Sequence, residues 1–276
     1  MFGKKRSQQE IAVDEANQDL DNYLKDHNYR FTFDTNYLIV LAENNEENIL
    51  MNIANCPGYI FTSTNLGEII GILKGGRLEE KAAKILGNFF IKARKRFKKV
   101  DFSKYEKELR PFADLLPRKL VHDVVISLED SFLNNLIRLY ENLRQKTLSR
   151  AAYKTAAEYY GEEKRALPKK MKQRYEFLCE EYNIDRDRIG KDDEKKYFEN
   201  ANLFKDRLIH EIELVVKQNI TKGFDVLIKK IKELAEKTYK ADIRFVAETI
   251  ARSATLRSFD SDVIWLFHFH AVRKIA

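Results

Sequence analysis

The apolar positions change period more than once along the chain. In "RFTFDTNYLIV", residues 30–40, Phe31, Thr32 and Phe33 have the aromatic and β-branched character of a strand. Tyr37, Leu38, Ile39, Val40 and Leu41 then resume an apolar run that a buried helix can carry. "YIFTSTNLGEIIGIL" repeats that order, with a strand at 59–62, small hydroxyl residues, and a helix bearing Glu68. A third, weaker strand is expected at 100–102. From about residue 105 to about residue 240 the pattern is helical, as in "VVISLEDSFLNNLIRLYENL" and "FDVLIKKIKELAEKTY". In the latter, Phe224, Leu227, Ile228, Ile231, Leu234 and Ala235 recur at three-and-four spacing, one apolar face of an amphipathic helix. Pro111, Pro117, Pro168 and Gly190 mark the expected breaks. Strand signals return in "ATLRSFDSDVIWLF", where 255–259 end in acids, and "HAVRKI" reads as a final short strand.

Composition narrows the class. With 44% hydrophobic and 34% charged residues, four prolines and ten glycines in 276, the chain reads as globular and rich in helix. No window approaches the roughly 18 consecutive apolar residues of a membrane span, and "MFGKKRSQQE" runs into a polar segment unlike a secretory signal. Cys56 and Cys179 stand alone, so neither a disulfide framework nor a zinc site is expected. A reducing cytoplasm is the simplest location.

The net charge of +7 points to an anionic partner. "KARKRFKK", residues 92–99, carries six bases in eight positions: Lys92, Arg94, Lys95, Arg96, Lys98 and Lys99. "KRALPKKMKQR", residues 164–174, is a second cluster. Phosphate-backbone binding is the functional reading of either run, and a solvated helix face is the plain one.

The acids stand where strands hand over to helices. Asp34 follows the first strand, Glu68 the second, Asp242 opens "ADIRFVAETIARSA", and Asp260 and Asp262 follow the strand at 255–259. If these strands are parallel neighbours, the acids meet at one end of the sheet, where ligands bind in open α/β folds. Carboxylates crowded into one cleft repel, and a divalent cation relieves them. An oxygen-only donor set without histidine favours Mg²⁺ or Mn²⁺ over zinc. Such an ion polarises a phosphodiester and lowers the pKa of an attacking water.

The segments "FDTNYLI" (33–39), "TSTNLGEI" (62–69), "ADIRFVAETIA" (241–251) and "LRSFDSDVIWL" (256–266) together resemble the PIN-domain nucleases, in the right order and at ordinary separations. That resemblance implies an α/β three-layer core with a central parallel sheet, interrupted by a large, mostly helical insertion. It implies a catalytic quartet of Asp34, Glu68, Asp242 and Asp260 holding the metal, with Asp262 as a further ligand. Asn36 and Ser63 would orient the ligands, and Ser258 stands where the family often has threonine. The corresponding division is a tail and helix at 1–28, a core at 29–107 and 223–276, and a helical insertion at 108–222. The departure from small family members is the long gap between Glu68 and Asp242.

Each acid also has a plain reading. Asp34 or Thr35, Asp242, Asp260 and Asp262 can be helix caps, and Glu68 a surface residue. Asp206 in "KDRLIHEIELVV" competes with Asp242 for the third position. A haloacid-dehalogenase-like phosphatase would need a second Asp where Asn36 stands, and no Gly-rich nucleotide loop occurs. His268 and His270 in "WLFHFH" alternate as on a strand or loop and read as packing residues.

The expectation is a Mg²⁺- or Mn²⁺-dependent endoribonuclease with a nucleic-acid partner, RNA in the first instance, and no membrane. A homo-oligomer or protein partner would engage the helical insertion. The alternatives are a non-catalytic nucleic-acid-binding or scaffold protein and a DNA-directed nuclease.

Overall fold

The computed structural model describes residues 7–127, 130–145, 149–219, 226, 229–230 and 239–273. Among them the protein is mostly helical, and its sheet is two short parallel strands, β1 Phe31–Phe33 and β2 Thr255–Arg257. The expected three-layer α/β core with a central parallel sheet is therefore incorrect. The residues at 59–62 make one parallel bridge, Tyr59 to Phe31, and do not continue as a strand. The chain leaves β1 there because Thr62 and Asn65 close a capping box that starts the next helix. Residues 100–102 are coil flanked by exposed lysines, with no paired partner. "WLFHFH" and the start of "HAVRKI" are helical, with Arg273 in an isolated bridge to Ile184; residues 274–276 lie outside the described set.

Contacts divide the chain into two compact units, residues 1–110 with 239–270, and residues 111–238 with 271–276. In the first unit, α1 Gln8–Lys25 begins at a Ser7–Glu10 capping box and packs on α2 Thr35–Glu43 and α3 Glu47–Asn55. The segment read as a tail and helix is thus an 18-residue helix whose Ala12, Ala16 and Asp19 are buried. It is tied to β2, because Arg257 grips the fully buried Asp19 carboxylate through Nε (3.0 Å) and a terminal nitrogen (3.1 Å). The Tyr29 hydroxyl donates to the same carboxylate at 2.7 Å.

β1 is buried along its whole length, and Phe31, Phe33, Tyr37, Tyr59 and Phe259 form a run of packed rings behind it. Gly58 is required where the chain passes β1, since a Cβ there would lie 2.8 Å from the Tyr29 carbonyl oxygen. The remaining helices of this unit are α4 Ser63–Gly75, α5 Glu80–Ala93 and α6 Ser103–Leu109. The chain returns to this unit at residues 239–270.

The second unit is built from α7 Pro117–Ile126, α8 Asp130–Gln145, α9 Arg150–Glu181, α10 Arg186–Ile189 and α11 Lys191–Asn219. Pro168 does not break α9. Leu167, Met171, Tyr175 and Leu178 keep a buried face through it, and that packing outweighs the roughly 3 kcal/mol an internal proline costs. Tyr175 and Tyr197 pack with ring centres 4.6 Å apart, and the Tyr197 hydroxyl donates to the Leu115 carbonyl. The amphipathic face read at Phe224, Leu227, Ile228, Ile231, Leu234 and Ala235 lies outside the described residues.

The first unit closes with α12 Lys240–Ala251, while α13 Ser261–Val272 crosses the boundary near its end. In α13, Val263, Leu266, Phe269 and Val272 are buried at three-residue spacing, the helical period that the apparent alternation obscured. Among the described residues no helix is long and apolar enough to cross a membrane.

Candidate functional site

The carboxyl-terminal ends of β1 and β2 open into a cleft of about 460 Å³ lined by Asp34, Asn36, Glu68, Arg77, Asp242 and Asp260, among others. The four acids come from four different elements. Asp34 is the N-cap of α2, accepting from the Thr35 backbone N–H at 2.7 Å. Glu68 lies on α4, Asp242 in the first turn of α12, and Asp260 just before α13. Asp260 accepts from the Asp262 backbone N–H at 2.8 Å, so two of the four are caps that also face the cleft.

Ser258 joins two of the acids. Its Oγ donates to Asp34 Oδ2 at 2.7 Å and accepts from the Asp260 backbone N–H at 2.9 Å. Burial pushes the Asp34 carboxyl up to about 6; the Ser258 and Thr35 hydrogen bonds oppose this, while the charges of Glu68 and Asp260 reinforce it. Burial also raises Glu68, a hydrogen bond from Thr35 works against that, and the charges of Asp242 and Asp260 add to it. The acids therefore sense one another across the cleft.

The scaffold behind the cleft is polar and buried. Asn65 donates to the Phe33 carbonyl and to Thr35 Oγ1, both at 3.1 Å, locking α4 to the end of β1. Glu248 on α12 is 1% exposed. It accepts from Ser63 N–H at 2.8 Å and Ser63 Oγ at 2.7 Å, and pairs with Arg252 at 3.3 Å. A carboxylate at the N-terminus of α4 satisfies donors left free by the helix and complements its dipole. This bond fixes α12, and with it Asp242, against the helix that carries Glu68.

Of the residues singled out in the sequence, Asp34, Glu68, Asp242, Asp260 and Asn36 line the cleft. Ser258 bonds to Asp34 behind it, whereas Ser63 turns to Glu248. Asp262 is buried in the first turn of α13 and does not line the cleft. Asp206 is exposed on α11 beside Lys205. His268 packs on Trp265, and His270 lies against Tyr105 and Glu108. The six bases of 92–99 are all exposed: Lys92 ends α5, Arg94–Arg96 form a 3₁₀ turn, and Lys98 and Lys99 follow in coil.

Sequence reading missed Asn65, Arg77 and Glu248. A capping-box pattern marks Asn65 as a helix-start residue, but nothing local distinguishes Glu248 from a surface glutamate.

Among the described residues no group of three or more His, Cys, Asp or Glu side chains is arranged to hold a metal ion. The donor chemistry nonetheless suits a hard divalent cation. The set is all oxygen, and Asp34 and Glu68, raised first by burial, are raised further by the charges of neighbouring acids that a cation would offset.

Comparison with family models, with curated proteins and with solved structures found no match.

Proposed function

We propose that the acidic cleft is the site of a divalent-cation-dependent nuclease, acting on RNA in the first instance. One observation carries this reading: Asp34, Glu68, Asp242 and Asp260, far apart in the chain, line one cleft at the carboxyl ends of two parallel strands. The likeness of the four motifs to PIN nucleases supports the same activity, without the three-layer sheet.

Asp34, Glu68, Asp242 and Asp260 would hold Mg²⁺ or Mn²⁺. A cation bound there supplies charge stabilisation for a phosphodiester and a more acidic water. The protein's own groups do the rest. Ser258 holds Asp34 in one orientation and favours its ionised form. A hydrogen bond from Thr35 favours the ionised form of Glu68. Asn36 and Arg77 line the cleft, and Arg77 brings a positive charge to it that can face a phosphate oxygen. Bases of the exposed run at 92–99 would neutralise backbone phosphates.

A second reading rests on the two caps. Because Asp34 and Asp260 each accept a helix-start N–H, the acids could be structural in a non-catalytic nucleic-acid-binding or scaffold protein. In either reading a homo-oligomer or partner protein would meet the helices of the second unit, where Tyr159, Phe177 and Leu203 are exposed. A reducing cytoplasm suits two free, buried cysteines.

The test is incubation of purified protein with single-stranded RNA, duplex RNA and DNA, each with Mg²⁺, Mn²⁺ or EDTA. RNA cleavage that EDTA stops, and that Asp34→Asn and Asp242→Asn abolish without lowering the melting temperature, supports the nuclease. Preference for DNA redirects the substrate. Absence of divalent-dependent cleavage, or cleavage unchanged in folded variants, defeats the catalytic assignment.

A further inference from the structure

A second pocket, of about 470 Å³, opens in the same unit and shares no lining residue with the acidic cleft. Five bases line it, Arg30, Lys95, Arg96, Lys98 and Arg252, and no acid does. They are gathered from three distant parts of the chain. Arg30 immediately precedes β1 and Arg252 precedes β2, whereas Asp34 and Asp260 follow those strands. The two strands are parallel, so the bases of Arg30 and Arg252 enter from the amino-terminal ends and the acids from the carboxyl-terminal ends. Three strand residues separate the two edges by about 10 Å.

The pocket is held in shape. Arg252 donates to the Lys98 carbonyl and to Glu248, which pins the basic run against α12. Arg30 donates to the carbonyls of His27 (2.7 Å) and Tyr29 (3.0 Å). Among the described residues no acidic side chain forms an ion pair with Arg30, Lys95, Arg96 or Lys98. A guanidinium presents its N–H donors in a planar fork, and a phosphate oxygen is the acceptor that matches both their charge and their geometry. The rings at the wall, Tyr59 and Phe61, are 3% and 2% exposed. They offer no face on which a base could stack, so recognition there falls on the phosphate and not the base.

We propose that this basic pocket binds a phosphate group at a site separate from the acidic cleft. The group can belong to a nucleic-acid backbone or to a free phosphorylated molecule. Of the six bases in residues 92–99, only Lys95, Arg96 and Lys98 serve it. The inference does not rest on cleavage at the acids, and its test is run in EDTA.

Binding of a short fluorescent single-stranded RNA is measured by anisotropy near 0.15 M salt, where the screening length is about 8 Å. Inorganic phosphate is the competitor. The triple variant Lys95→Gln, Arg96→Gln, Lys98→Gln should bind at least about tenfold more weakly. Its salt slope should be smaller by about 2, roughly 0.7 for each lost contact on a single strand. Removing the same charge outside the pocket, in Lys92→Gln, Arg94→Gln, Lys99→Gln, should change affinity much less. In melts, phosphate should raise the transition of the wild type and of the second triple, but not of the first. Displacement by inorganic phosphate identifies a site for an isolated phosphate. Strand binding that is lost only in the first triple and resists phosphate identifies the diester backbone. Equal losses in the two triples, or none in the first, overturn the proposal.

Discussion

Ser258 Oγ donates to Asp34 Oδ2 at 2.7 Å, across 224 residues of sequence. The same oxygen accepts from the Asp260 backbone, so one hydroxyl sets the position of two acids. Its bond to Asp34 favours the carboxylate over the acid. Ser258→Ala should therefore move Asp34 above about 6 and shift the acid limb of the cleavage pH profile upward. The plateau at higher pH should change far less. Ser258→Thr keeps the hydroxyl and should restore the wild-type limb. An NMR titration of the Asp34 carboxyl reads the same shift without relying on cleavage; coincident titrations in wild type and Ser258→Ala would refute it.

Asp34 also makes stability depend on pH. Its folded value is raised from 3.8 to about 6, so the folded protein binds this proton more tightly than the unfolded chain. The contribution is complete below about pH 4, declines as pH rises through about 6, and by neutral pH is lost, a difference of about 3 kcal/mol. Metal-free Asp34→Asn should accordingly melt higher than wild type near pH 7 and match it near pH 4. Adding Mn²⁺ should raise the wild-type transition and leave that of the variant almost unmoved. A variant less stable than wild type near pH 7 would make Asp34 chiefly a helix cap.

Glu248 holds the helix that bears Asp242 against the helix that bears Glu68. Glu248→Ala strands two donors at the start of α4 and leaves the Arg252 guanidinium without its carboxylate. It should cost about 3–5 kcal/mol in urea unfolding. Glu248→Gln keeps an oxygen for Ser63 and should cost distinctly less. Equal stabilities for the alanine variant and wild type would show that the ends of these helices are satisfied in another way.

Asp19 and Arg257 test whether α1 belongs to the first unit's fold. Asp19→Ala leaves Arg257 half-buried without its bidentate partner and should cost about 3–5 kcal/mol. The double change Asp19→Leu, Arg257→Met removes both charges and should recover much of that loss. Urea denaturation of the wild type, Asp19→Leu, Arg257→Met and the double variant gives the coupling. Additive losses would mean that the pair is not energetically linked.

What could be read along the chain was local. Phe31–Phe33 read as a strand because aromatic and β-branched side chains suit a pleated, buried position, and Asp34 read as a cap because its side chain reaches the next N–H. The run at 59–62 carries the same residue types and pairs at one position only. Short apolar runs do not state whether a partner strand will lie beside them.

The sequence by itself determined that Asp34 and Asp260 follow strands and that six bases crowd one segment, since caps, turns and charge runs act over a few neighbouring residues. Tertiary structure alone decided that the sheet stops at two strands among the described residues, that Asp262 is buried outside the lining of the cleft Asp260 lines, and that three of the six bases line a pocket with Arg30 and Arg252. It also chose the partners that hold the site: Glu248 for Ser63 across 185 residues, and Asp19 for Arg257 across 238. A buried polar group must find an acceptor or donor somewhere, but its own neighbours in the chain do not say which.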